Sequence, residues 1–252
     1  MNFLHKILND RRNRKKGIPV VLIAVFLICF IAVSLYLNTY YRADMTAIQT
    51  IIGTPTEFHT LPGGTRVTGD EKSPVGFIFY PGGKVEAYSY LPLLMECSRN
   101  GIFCAMPEMP FRLAVFDIHA AEEIRETYPD IDRWYIGGHS LGGSMAAAHL
   151  ADHTDDYEGL ILLGSYSTED FSAGDTDVLS VYGSEDGVLN MEKYEQYRTN
   201  LPEDVTEIVL DGGCHAYFGV YGAQKGDGTP TITNEEQIER TAEAIAAFVY
   251  GE

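Results

Sequence analysis

Two hydrophobic rhythms divide this chain. Residues 18–37 run for twenty positions without a charge. At ~1.5 Å per helical residue that length covers the ~30 Å hydrocarbon core of a bilayer. Beyond it the apolar runs are short. Residues 76–80, 102–106, 133–136, 159–163, 178–182 and 205–210 are of strand length and rich in apolar side chains, as expected of strands buried inside a parallel sheet. Residues 58–60 and 65–68 alternate around the Pro62-Gly63-Gly64 turn and predict two short strands.

Helical spacing fills the gaps. Tyr88, Leu91, Leu94 and Met95 share one face before Asn100-Gly101 ends the helix. Leu113, Ala114, Phe116, Ala120, Ala121 and Ile124 predict a helix over 113–128, stopped by Pro129. Residues 140–151 form an Ala-rich helix. Thr233 with Glu236 makes a capping box, and Ile238, Ala242, Ile245 and Val249 then form one stripe up to Gly251. Strands alternating with helices predict an α/β domain: a mostly parallel sheet with helices on both faces.

Charge orients the long apolar run. Lys6, Arg11, Arg12, Arg14, Lys15 and Lys16 precede it against one acid, Asp10, and only Arg42 is basic just beyond it. The positive-inside rule puts the N-terminus in the cytoplasm and the rest outside, with Tyr36, Tyr40 and Tyr41 at the far interface. The run is long for a cleaved signal, and Leu37-Asn38-Thr39-Tyr40-Tyr41 holds no A-x-A-like site. The expected order is a basic cytoplasmic segment 1–17, a transmembrane signal anchor 18–37, a linker 38–55 and the α/β domain 56–252. Residues 41–252 hold twelve Lys and Arg against thirty-five Asp and Glu, a formal charge of −23. That excludes nucleic acid and an anionic lipid surface as partners of the domain. Cys29 falls in the span, and Cys97, Cys104 and Cys214 have no metal-ligand spacing. Buried thiols are expected there, with no zinc or iron–sulfur site.

One stretch carries chemistry. Gly138-His139-Ser140-Leu141-Gly142-Gly143 lies between a strand and a helix, and G-x-S-x-G at that junction is the nucleophile-elbow pattern. A serine hydroxyl needs a general base in reach and a carboxylate to orient that base. In an open parallel sheet all three come from loops at the carboxyl ends of strands. The loop after 178–182 reads Gly183-Ser184-Glu185-Asp186-Gly187, and the loop after 205–210 reads Asp211-Gly212-Gly213-Cys214-His215. The order Ser140, Asp186, His215 follows. Glu185 and Asp211 compete for the acid's place. The shorter side chain before a glycine favours Asp186, and Asp211 suits a turn cap.

Attack on a carbonyl also needs backbone N–H donors for the developing oxyanion. Leu141, just after the serine, supplies one. The loop Tyr80-Pro81-Gly82-Gly83-Lys84 supplies the other, Gly83 first and Lys84 second. His139 is expected to pack away from the site. Glu108 and Arg112 follow a strand end and are candidates to touch substrate. Lys225 with Gly226-Asp227-Gly228 reads as a Gly-rich surface loop at the rim.

From about Val75 to Val249 the chain resembles the α/β-hydrolase superfamily, most of all its bacterial, membrane-anchored members of uncharacterised substrate. The resemblance rests on Phe79-Tyr80-Pro81-Gly82-Gly83-Lys84-Val85, on residues 109–116, on residues 135–143, on residues 182–187, and on Gly212-Gly213-Cys214-His215-Ala216 with residues 218–228. The family pattern usually carries Asn where this chain has Cys214. The resemblance implies a Ser140–Asp186–His215 triad, hydrolase activity, and neither cofactor nor metal. Residues 164–177 are too few for a lid domain, so an open site is expected. It would take a small-molecule or surface-displayed acyl substrate. An acyltransferase on the same triad, and a non-catalytic binding module, are the alternatives.

Overall fold

The computed structural model describes residues 11–53 and 58–251, with side chains from residue 21 onward. Lys6 and Asp10 of the basic lead, residues 54–55 of the expected linker and residues 56–57 of the expected domain lie outside the described residues. The chain divides into two units, at Thr39 and Tyr40. The first is one helix, α1 (Arg11–Asn38). Its stretch Val21–Asn38 has a mean hydropathy of 2.6, long and apolar enough to cross a membrane.

The second unit is built on an eight-stranded sheet: β1 (His59–Thr60), β2 (Arg66–Thr68), β3 (Val75–Tyr80), β4 (Phe103–Met106), β5 (Arg133–His139), β6 (Gly159–Leu163), β7 (Asp177–Gly183) and β8 (Thr206–Leu210). The spatial order is β1-β2-β4-β3-β5-β6-β7-β8. β1 and β2 pair antiparallel, β2 joins β4 antiparallel, and all later pairs are parallel. Every residue of β3, β4 and β6 is buried, so their continuous apolar runs have both faces covered. The order turns back at β3, placing a crevice beyond the carboxyl ends of β3 and β5. Open α/β sheets bind ligands at such a point.

Helices cover both faces. Helix α2 (Met45–Ile52), α3 (Leu91–Arg99) and α7 (Asn234–Tyr250) pack on one face through Ile48, Leu94, Ile238 and Ile245. Helix α4 (Ala121–Thr127) and α5 (Leu141–Ala151) pack on the other through Ile124, Ala146, Ala147 and Leu150. Helix α6 (Met191–Tyr197) is tied to β7 by the Tyr194 and Ser180 hydroxyls at 2.8 Å. Thr233 caps α7, its Oγ1 accepting the Glu236 N–H at 3.1 Å, but the Glu236 carboxylate that would complete a capping box pairs with Arg240 instead.

Two expectations change. Residues 40–53 belong to the domain rather than to a linker. Tyr41 bridges to Val85 and packs against Tyr221, and Ile48 is wholly buried. Asp44 caps α2 by accepting the Ala47 N–H, which gives so short a helix its start. The single helix expected over 113–128 is instead a 3₁₀ turn at Ala114–Phe116 followed by α4 alone. The intervening backbone is bound elsewhere: the Tyr80 hydroxyl donates to the Ile118 carbonyl and accepts the Ala121 N–H. These tertiary bonds outcompete a local helical ladder that propensity alone supports weakly.

Candidate active site

The corner after β5 is strained. Ser140 has φ 53° and ψ −123°, a region that costs a non-glycine residue roughly 1–3 kcal/mol. Its neighbours hold it there. The Ser140 N–H donates to the Leu163 carbonyl at 2.9 Å, and its carbonyl accepts the Ser165 hydroxyl at 2.7 Å. The turn is too close to β3 for side chains at its glycines. A Cβ on Gly138 or Gly142 would run into the Tyr80 carbonyl oxygen.

Asp186 and His215 meet across the ends of β7 and β8. The His215 Nδ1 lies 2.8 Å from Asp186 Oδ2, and each side chain is only 1% exposed. Asp186 Oδ1 accepts the Val188 and Leu189 N–H groups at 2.9 and 2.8 Å. These bonds fix the carboxylate, so Nδ1–H of His215 faces an acceptor and Nε2 is left as the lone pair. Nε2 is buried and has no hydrogen-bond partner among the described residues. The competing acids are exposed. Glu185 donates its N–H to the Gly213 carbonyl, and Asp211 stands at the turn after β8.

Asp227 is the residue that the sequence pattern undersold. Its carboxylate accepts N–H groups from Gly187, His215 and Ala216 at 3.2, 3.1 and 2.8 Å. It thereby staples the acid loop to the histidine loop. Burial pushes its pKa up, but these backbone donors outweigh burial and hold it below the ordinary carboxylate value. Gln237 of α7 braces the same loop, accepting the Cys214 N–H at 2.9 Å and donating to its carbonyl at 2.8 Å. The Cys214 thiol is pushed up to about 12, by burial first and then by the Asp227 charge. It is therefore a neutral packing group.

The loop after β3 reaches the same crevice. Gly82 donates its N–H to the Tyr90 hydroxyl at 3.1 Å, and Lys84 donates its own to Arg112. Gly83 keeps an N–H with no partner among the described residues, against the Leu141 side chain. Lys84, the second choice as donor, is thus committed elsewhere. Leu141 opens α5, where first-turn N–H groups have no acceptor within the helix. His139 is buried, but it packs against the site rather than away from it: its Nδ1 meets the Tyr90 hydroxyl at 2.8 Å, and its ring lies 4.4 Å from that of His215. Tyr90 therefore links the Gly82 backbone to the residue preceding the serine.

Ser140, Leu141 and His215 line one open pocket of about 250 Å³ with Tyr166, Val188 and Leu189. It is small beside the ~300–1,000 Å³ of most ligand sites. A larger cleft of about 490 Å³, bounded by Glu158 and Thr176, sits at the amino ends of β6 and β7, away from these groups. Glu108 and Arg112 do not line the small pocket. Glu108 pairs with Arg66 at 2.6 Å, and Arg112 covers the Tyr40 ring at 3.6 Å. No lid domain interrupts the described residues between β6 and β7.

The sequence profile described as the alpha/beta hydrolase family matches residues 76–239. No curated protein matches the chain. Several solved structures share the fold. A carboxylesterase of the thaumarchaeon Nitrososphaera gargenis superposes with a TM-score of 0.55 at 12% identity, over 77% of this chain and 97% of that one. The esterase domain of a Rhodothermus marinus protein gives 0.55 at 12%, over 76% and 96%. Est1E from Butyrivibrio proteoclasticus gives 0.53 at 14%, over 77% and 98%.

Proposed function

Because the chain belongs to the alpha/beta hydrolase family, we propose that it is a serine hydrolase cleaving a carboxylic ester, with Ser140 as nucleophile. The observation that carries this reading is the buried Asp186–His215 pair at 2.8 Å, whose histidine shares a pocket with Ser140. His215 takes the Ser140 proton as the hydroxyl attacks the carbonyl, then returns it to the leaving alcohol. Asp186 holds the imidazole and stabilises its cationic form. The Gly83 and Leu141 N–H groups receive the oxyanion. Water, activated by His215, releases the acid from the acyl-enzyme. The Ser140–His215 hydrogen bond forms as substrate enters, as is common where the free site is looser than the loaded one.

The small open pocket suits a short acyl group on a small molecule or on a larger surface-displayed one. That several structural neighbours are esterases supports the ester as substrate. The basic lead and the apolar stretch of α1 support a single-pass anchor with a cytoplasmic N-terminus and an extracytoplasmic domain. Full-length protein in detergent should hydrolyse p-nitrophenyl acetate and butyrate, more slowly as the chain lengthens, and Ser140→Ala should abolish turnover. Absence of turnover in the wild type on every chain length refutes the esterase. Transfer to an added alcohol in preference to water reassigns the enzyme as an acyltransferase.

A further inference from the structure

Four side chains converge at the far end of α5, away from the pocket. His149 lies in the last turn of that helix and His153 just beyond it, four residues on. His119 and Glu122 approach from the start of α4. One ligating atom from each can be chosen so that all four lie within 4.8 Å of one another. His119 Nδ1 is 3.3 Å from His149 Nδ1 and 3.3 Å from Glu122 Oε1, and Glu122 Oε1 is 3.4 Å from His153 Nε2. A tetrahedron of ligands ~2.0–2.1 Å from a metal ion has edges of about 3.3–3.4 Å.

The outer partners of these rings sharpen the geometry. His153 Nδ1 lies 2.8 Å from the His149 carbonyl, which can only accept, so this nitrogen carries the proton. Its Nε2 then faces the Glu122 carboxylate oxygen. His149 Nε2 is occupied by the Tyr157 hydroxyl at 2.9 Å, which turns Nδ1 toward His119. The inner nitrogens and Glu122 Oε1 therefore converge on one point, where a cation can replace the protons they share. Holding the outer ring nitrogen so that the inner one ligates is how proteins orient metal-binding histidines.

We propose that His119, Glu122, His149 and His153 bind a Zn²⁺ ion in a four-coordinate site. Three imidazoles disfavour Ca²⁺ and Mg²⁺, which take oxygen ligands. Three imidazole nitrogens and one carboxylate oxygen form a donor set that Zn²⁺ takes in four-coordinate sites. Four protein ligands fill the coordination shell, so the site is structural. It ties His119, at the end of the irregular segment 107–120, to the end of α5. That segment also supplies the Arg112 carbonyl under Lys84, beside Gly83. Arg125 is nearby, with its charge paired to Asp156 at 2.8 Å.

The test uses full-length protein in detergent, stripped with EDTA, desalted and titrated with Co²⁺. One equivalent should give the visible absorption of a tetrahedral ion, displaced by Zn²⁺. Zn²⁺ at a hundredfold excess over its Kd should raise the melting temperature by about 5–10 °C. Glu122→Gln and His153→Gln, at solvent-accessible positions, should weaken Co²⁺ binding at least ~10-fold. Ser140→Ala should bind it as the wild type does, which separates this site from the hydrolase reading. Absence of a saturable one-equivalent spectrum in the wild type, or equal binding by both ligand variants, overturns the proposal and leaves a cluster held by protons alone.

Discussion

Helix α5 has a histidine group at each end, and the two groups are built on opposite terms. At its start, His139 packs against His215 and Phe218 with tilted rings, and both histidines are 1% exposed. Each has its Nδ1 held by one partner, Tyr90 for His139 and Asp186 for His215. At its end, His149 and His153 stack at 4.2 Å, but their partners hold the outer nitrogens and the inner ones converge. The residue type is the same. Which ring nitrogen is held decides whether the imidazole turns its other nitrogen to a pocket or brings it to one point with its neighbours.

The first group can be broken most severely at its acid. Asp186→Asn should lower kcat by about 10³–10⁴-fold, because an amide presents the wrong hydrogen-bonding edge to His215 Nδ1. Glu185→Gln and Asp211→Asn should stay within about twofold. Steady-state rates on p-nitrophenyl butyrate decide this, and a crippled Glu185→Gln would move the acid by one residue. Asp227→Asn should cost less, about 10–100-fold in kcat. It should also lower stability by about 1–3 kcal/mol, since a buried N–H group loses its carboxylate. Urea unfolding reads the second quantity, and an unchanged midpoint would remove Asp227 from its place as a staple.

The smallest effect concerns His139. Burial, and then the charge of His215, hold its pKa well below the ordinary histidine value. The unfolded chain takes up this proton near pH 6.5 and the folded chain does not. The unfolded state therefore binds more protons below pH 6.5. Stability is full above that pH and falls beneath it, by up to ~1.4 kcal/mol per pH unit from this group. Unfolding between pH 6.5 and 5 should have a shallower slope in His139→Gln than in the wild type.

The candidate residues at strand ends can be read from the sequence, and the structure brings two of them, Asp186 and His215, to 2.8 Å. Ser140, Asp186 and His215 each follow an apolar run, in an order that the parallel sheet demands. The staples cannot be read that way. Asp227 sits twelve residues after His215 in a stretch that reads as plain loop, and only folding brings Gly187 and Ala216 to the same carboxylate. Gln237 and Tyr90 are hidden for the same reason: each bonds to backbone on a distant element. The helix expected at residue 113 fails because its apolar spacing serves a loop wound over Tyr80. For the second histidine group, cysteine spacing was silent. The local traces are two intervals of about one helical turn, His119 to Glu122 and His149 to His153.

The central claim is that Ser140 is a nucleophile activated by His215. Full-length protein treated with a fluorophosphonate should gain one adduct by intact mass, and peptide mapping should place it on Ser140. The adduct should vanish in Ser140→Ala and form at least ~10³-fold more slowly in His215→Gln. An adduct on another residue, or wild-type protein that stays unlabelled, would contradict the account.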